Sequence, residues 1–232
     1  MKKFTTLTSI FLLTTVLSAC AQSYSHHFNS GNSWLGGKEV KASKNYVTKQ
    51  IKVSDFDQIA VSGSLDVTYT QQSGKPKVEI YTSDNIVDLL DIYVKNGKLN
   101  LGFKKNVKVS YNKLEIRVTS EDLNAVNVAG SGDFKFTNGL KTDQLKMNVA
   151  GSGDIECKQL KAADMDISVA GSGDLKIENA QVTSANASVA GSGDIKCYAV
   201  EHLKARVSGS GTIGYKGNPE LDYPEKKKVY KL

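Results

Sequence analysis

The chain has 232 residues, 40% hydrophobic and 23% charged, with 30 Lys and Arg against 24 Asp and Glu for a formal charge of +6. That length suffices for one core of ordinary size. The mild excess of positive charge, with signs that alternate along most of the chain, argues against nucleic acid as a partner.

The chain opens MKKFTTLTSIFLLTTVLSAC. Lys2 and Lys3 precede an apolar run centred on residues 10–17, too short for a stable membrane span. The run ends in Leu17-Ser18-Ala19-Cys20. This resembles the bacterial lipoprotein signal, whose last four residues form the lipobox. The resemblance implies cleavage before Cys20, diacylation of its thiol and acylation of the new amine. Residues 1–19 are then a signal peptide, and loss of its two lysines lowers the charge to +4. Several acyl chains on one residue hold a protein firmly on a membrane.

Residues 20–49 are rich in Ser, Asn, Gly and Lys without periodicity and read as a lipidated flexible tether. His26 and His27 lie there, with His202 as the one other histidine. Two neighbouring histidines in a linker are read as solvent-exposed residues, not as a metal site. Trp34 is read either as an exposed contact or as folding back onto the first coil.

Residues 50–218 form one β-rich domain. In its first part, 50–119, Ile59 and Val61 alternate before Ser62-Gly63-Ser64, and Leu65, Val67 and Tyr69 alternate after it. Residues 85–91 are a short helical turn or an irregular edge. Asn96-Gly97 sits between apolar alternations at 92–94 and 99–103, which predicts a hairpin. This part is expected to continue the later repeats as an irregular N-terminal cap. Tyr69, Tyr81, Tyr93 and Tyr111, if exposed together on one face, would favour binding.

From 120 to 218 one phrase recurs. VAGSGD ends at Asp133, Asp154, Asp174 and Asp194, and VSGSGT ends at Thr212, with spacings of 21, 20, 20 and 18 residues. A fixed period near 20 is the mark of a solenoid. Within each repeat, apolar residues alternate on both sides of the glycines, as in Met165, Ile167 and Val169, then Leu175 and Ile177. A two-residue period means two short strands per coil, each burying one face, and such strands are stable only when stacked. The fold class is therefore all-β: a β-helix or β-solenoid with coils of about 20 residues. A sandwich of hairpins would explain the alternation but not the fixed turn.

The turn residues are the candidate site: Gly130-Ser131-Gly132-Asp133, Gly151-Ser152-Gly153-Asp154, Gly171-Ser172-Gly173-Asp174 and Gly191-Ser192-Gly193-Asp194. The glycines allow positive φ or close approach of coils, and Ser and Asp cap turn amides. A phosphate loop needs a following helix and a GK[ST] ending, and calcium-binding β-helices use a nine-residue repeat; neither pattern is here. The reading is a polar ladder that is structural, with its serine stripe as a potential contact surface; an Asp ladder from Asp133 to Asp194 would repel itself if unpaired, so a bound cation is the alternative, and no metal ligand and no cofactor is assigned.

Residues 219–232 contain Pro219, Pro224 and the run EKKKVYKL, and are expected to be a basic tail that discourages further stacking. Cys157 and Cys197 occupy equivalent inward positions two coils apart. That is roughly 9.6 Å, beyond the disulfide limit of about 7 Å, so both are expected as buried free thiols. No catalytic residues are assigned, because coils of 18–21 residues leave no inserted loops from which to build a cleft.

The lipobox, the segment FDQIAVSGSLDVTY at 56–69, KVEIYTSDNI at 77–86, KNGKLNL at 95–101 and the VAGSGD coils together resemble the DUF2807 family, the auto-transporter adhesin head GIN domain found in Bacteroidota lipoproteins. The resemblance covers 53–215. It implies a right-handed parallel β-helix, supplies no catalytic residue, and implies a lipid-anchored head in the outer membrane. The expected function is non-enzymatic: an adhesin-like head bound to the membrane through its N-terminal lipid, with a glycan or an envelope or host protein as partner. A periplasm-facing scaffold is the alternative, and a carbohydrate-active enzyme the third.

Overall fold

The computed structural model describes residues 38–224 and 228–232, so Cys20, His26, His27 and Trp34 lie outside the described residues. The described residues belong to a single compact unit, a β-solenoid of about five turns. Its first strands are β1 (Lys38–Lys41), β2 (Tyr46–Lys52), β3 (Gln58–Gly63), β4 (Val67–Gln71) and β5 (Lys77–Ser83). The short helix α1 (Asp84–Val87) follows, then β6 (Leu90–Lys95), β7 (Lys98–Phe103), β8 (Val107–Ser110) and β9 (Leu114–Ser120). The regular part contains β10 (Ala125–Gly130), β11 (Phe134–Phe136), β12 (Leu140–Lys141), β13 (Gln144–Gly151), β14 (Ile155–Glu156) and β15 (Leu160–Gly171). It ends with β16 (Leu175–Gly191), β17 (Ile195–Gly209), β18 (Ile213–Lys216), β19 (Glu220–Asp222) and β20 (Val229–Lys231).

The repeats stack in parallel and in register. Val128, Val149, Val169, Val189 and Val207 lie one above another, as do Gly130, Gly151, Gly171, Gly191 and Gly209. The alternation read from the sequence gives the core: Leu145, Met147, Val149, Ile155, Met165, Ile167, Leu175 and Ile177 are all buried. Each coil also has a third edge that two-residue alternation did not show. Leu140 pairs with Leu160 and Lys161 with Gln181, and Leu140, Leu160, Ala180, Val182 and Ala199 close the core on that side. The 18-residue coil fits because the β16–β17 ladder shifts register between Lys176 and Gln181 and again between Val182 and Ser184.

The N-terminal region is joined to the same stack, as expected of a cap. β3 is parallel to β10 and to β7, and β4 is parallel to β11 and to β9. Beyond them the pairing changes hand: β5 is antiparallel to β9, β2 to β5, and β6 to β7. Antiparallel strands across the end offer an incoming parallel coil no matching ladder, which stops growth of the stack. The predicted hairpin is present, with Asn96 at φ 53° and Gly97 at φ 72° between Lys95 and Lys98. Both central residues at positive φ are what a two-residue type I′ turn requires.

Two expectations need correction, and the condition set on the tyrosines is not met. The tether does not reach residue 49, because β1 pairs with β8 and β2 with β5. Residues 219–232 are not only a tail, since β19 stacks on β17 and β20 on β18 as a last partial coil. Pro219 just precedes β19 and Pro224 follows it, so neither removes a ladder bond within a strand. The tyrosines do not form one exposed face. Tyr69 is fully buried, its hydroxyl hydrogen-bonding Ser120, with Phe136 edge-on to its ring; Tyr81 stacks on Tyr46 and Tyr111 donates to the Ser64 carbonyl. Tyr93 alone of the four is well exposed.

Candidate functional site: the stacked GSGD turns

The first glycine of each turn has positive φ, 134° at Gly130, 133° at Gly151, 134° at Gly171 and 139° at Gly191. A Cβ at Gly171 would stand 2.2 Å from the Gly151 carbonyl oxygen. At the second glycine, Gly173, it would stand 2.0 Å from the carbonyl oxygen of Gly153, a contact no side chain can make. The first glycine thus serves conformation and approach together, and the second serves approach alone.

Close approach lets each turn bond to its predecessor. The amides of Ser152, Ser172, Ser192 and Ser210 donate to the carbonyls of Gly130, Gly151, Gly171 and Gly191, each at 2.8 Å. The aspartates form a second ladder. The Asp133 amide donates to Asp66 Oδ1 at 3.0 Å, Asp154 to Asp133 at 3.0 Å, Asp174 to Asp154 at 2.8 Å and Asp194 to Asp174 at 3.0 Å. Thr212 ends it, giving both its amide and its hydroxyl to Asp194 Oδ1 at 2.8 Å. An amide on a carboxylate is a charge-assisted bond, stronger than a neutral one. Repulsion between stacked carboxylates is further relieved by Lys176, whose Nζ lies 2.9 Å from Asp154 and 3.3 Å from Asp174. Its hydrogen bond to Asp154, with Asp174 alongside, raises the pKa of that ammonium above its ordinary value. Every expected Gly, Ser and Asp is brought into one stripe. Asp66, which sequence reading passed over, is its first rung, legible in the degenerate phrase GSLD at 63–66.

What faces solvent from this stripe is small. Ser131, Ser152, Ser172 and Ser192 are exposed, as are Ala129, Ala150, Ala170 and Ala190 beside them. The next column inward along the strands is tied together: Asn148 donates to Asn127 at 2.8 Å and Ser168 to Asn148 at 2.6 Å. Chemically this face offers hydroxyls and an amide ladder, and no nucleophile beside a base. His202 sits elsewhere, 3.5 Å from Glu220 at the surface. Among the described residues no group of three His, Cys, Asp or Glu side chains is placed to hold a metal.

Cys157 and Cys197 are free and buried, as the register required. Burial pushes their thiols up, to about 11 and about 12. Such thiols are inert at neutral pH.

Open grooves lie between the faces of the described residues. One, of about 1110 Å³, runs along the corner before the first strand of each coil and is lined by Asp57, Asp122, Asp143, Asp164 and Asp166 with Lys98 and Lys146. A second, of about 320 Å³, lies along the third edge and has no carboxylate among its lining residues. A third, of about 240 Å³, lies between β4 and β9. No helix among the described residues is long and apolar enough to cross a membrane.

The same fold occurs in solved structures. A putative adhesin of Bacteroides fragilis is similar at 32% identity with a TM-score of 0.67, over 83% of this chain and 95% of that one. A putative lipid binding protein of Parabacteroides distasonis is similar at 26% identity and TM-score 0.59, over 84% and 100%. A putative adhesin of the same species, at 24% identity and TM-score 0.62 over 84% and 100%, shares the fold. Among curated proteins no match was found. The family model of DUF2807, "Putative auto-transporter adhesin, head GIN domain", matches residues 55–178 and 161–219, and the chain belongs to that family.

Proposed function

We propose that this protein is a non-enzymatic, lipid-anchored protein of the cell envelope, held in the outer membrane through Cys20, whose solenoid is an adhesin-like binding head. One observation carries the reading. The coils stack with no inserted loops, so the head offers long, regular polar faces and open grooves. Regular faces suit a repeating polymer or a flat protein surface, whereas catalysis on a small substrate calls for a cleft that excludes water. The family description points the same way. An acyl chain, by contrast, calls for an apolar cavity, and the space between the faces is filled by Ile, Val, Leu and aromatic side chains.

A second reading has its own support. The residues after Cys20, AQSYSHHF, carry no acidic run of the kind that accompanies surface display in this group of lipoproteins, which favours a periplasm-facing scaffold. Protease treatment of intact cells separates the two, with Cys20→Ala as the anchoring control and lysed cells as the digestion control. Digestion on intact cells is the result expected for an adhesin-like head. Protection until lysis would move the head to the periplasmic side and its partners with it.

A further inference from the structure

One register column runs the length of the third edge. Lys141 stacks on Lys161, Lys161 on Gln181, Gln181 on Tyr198 and Tyr198 on Lys216. At one strand spacing per coil the column runs for roughly 19 Å. Several cations of the regular coils meet carboxylates: Lys146 lies 3.6 Å from Asp166, Arg206 is paired with Asp222 at 3.0 Å, and Lys176 bridges two aspartates. Lys141 and Lys161 are both exposed, lie directly opposite each other, and have no ion-pair partner among the described residues. Like charges placed directly opposite on neighbouring strands are destabilising unless something neutralises them.

The groove beside this column supplies the rest of a recognition surface. Gln159 and Gln181 line it, and their side-chain amides make no hydrogen bond to the protein among the described residues. Asn179 also lines it and holds Lys216 Nζ at 3.0 Å, which brings a third cation to the rim. Gln71 and Asn138, at the other end, are spent on the fold, clamping the backbones of Lys141 and Gln71. Free amides, a half-buried tyrosine ring, two ammonium groups on adjacent coils and a third at the far end match the hydroxyls, ring faces and carboxylates of an acidic sugar chain. The groove of about 1110 Å³, with its five aspartates, would repel the same ligand.

We infer that the third-edge groove between Lys141 and Lys216 binds a carboxylated polysaccharide, with Lys141 and Lys161 on its carboxylates and Tyr198 against a sugar ring. This rests on the reading of the head as a binding module and names its ligand class. The test uses the full chain purified in detergent, titrated with polygalacturonate, its fully methyl-esterified form and polyglutamate. Polygalacturonate should bind with an affinity that falls as salt rises. Lys141→Gln with Lys161→Gln should weaken it by about tenfold or more, since two charge-assisted contacts are lost. Lys146→Gln, on the acidic groove, should leave it unchanged, and the double variant should melt no lower than the parent, since it removes a like-charge pair. Equal binding of polyglutamate would make the column a generic polyanion site and overturn the assignment. Polygalacturonate binding that survives the double substitution would overturn the groove and leave the head reading standing. No binding of any of the three polymers would also overturn the groove, while the cell assay would still decide the head's location.

Discussion

From residue 120 onward each coil is braced by the one before it through one repeated set of bonds, whereas residues 50–119 solve the same stacking problem without repeating anything. In the regular coils the Ser amide reaches the preceding Gly carbonyl, and the Asp amide reaches the preceding Asp carboxylate, four times over. In the N-terminal region, Gly63 and Asp66 serve only as the first rung, and stability comes from large buried side chains such as Tyr69, Ile80, Leu99 and Leu101 under antiparallel strands. The difference teaches what the glycines are for. Where a coil has a predecessor of the same shape, a side chain in the turn has no room. Gly63 has no such predecessor, and a Cβ there would meet nothing within 4 Å.

The sharpest way to break this comparison is to add one methyl group in each region. Gly173→Ala places a Cβ 2.0 Å from a backbone oxygen and 2.8 Å from Val149 Cγ1, and neither can move without parting two coils. It should cost about 3 kcal/mol in urea unfolding. Gly63→Ala, at φ 86° in open space, should cost about 1 kcal/mol from backbone conformation alone. Equal costs would mean that coil contact is not what the glycines provide.

A smaller effect is expected from the carboxylates. Asp174→Ala removes the acceptor of the Asp194 amide and one partner of Lys176, and should cost about 1–2 kcal/mol. Asp174→Asn keeps an oxygen in place and should cost less. Asp66→Ala, at the exposed start of the ladder, should also cost less, because water can replace the lost acceptor.

A last effect is absent at neutral pH and appears only in alkaline solution. Both buried thiols lie in the regular coils, with folded pKa values raised from 9.0 to about 11 and about 12. A raised folded pKa means that the unfolded chain loses its protons first. The contribution is therefore complete below about pH 9 and is lost as pH rises through 11 and 12. Cys197→Ala should flatten that alkaline decline in thermal melts while leaving its shape below pH 9 unchanged.

Much of this was legible in the chain because the regular coils repeat and alternate. Met165, Ile167 and Val169 announce an inward face, and the shared GSGD fixes the register that keeps Cys157 and Cys197 apart. The third edge was not legible, because β12 has only two residues and no alternation fits in two. β2 was hidden for a different reason. It is an outermost strand of the cap in which Val47 and Ile51 are separated by exposed Thr, Lys and Gln, a pattern too sparse to mark it off from a linker. The last partial coil was masked by its prolines and lysines. Tyr69 alternates with Leu65 and Val67 in the sequence, but only the fold shows that Ser120 bonds its hydroxyl inside the core. For the aspartates, composition allowed either a turn cap or a cation site. The stacked register supplies the acceptor geometry that a single repeat lacks.

Amide hydrogen exchange at Asp154, Asp174 and Asp194 tests the ladder most directly, measured beside the strand amide of Val169 and repeated with a chelator present. The ladder predicts that the turn amides exchange as slowly as the strand amide and are indifferent to the chelator. Rapid exchange at all three would contradict it, and protection that the chelator abolishes would hand the carboxylates to a bound cation.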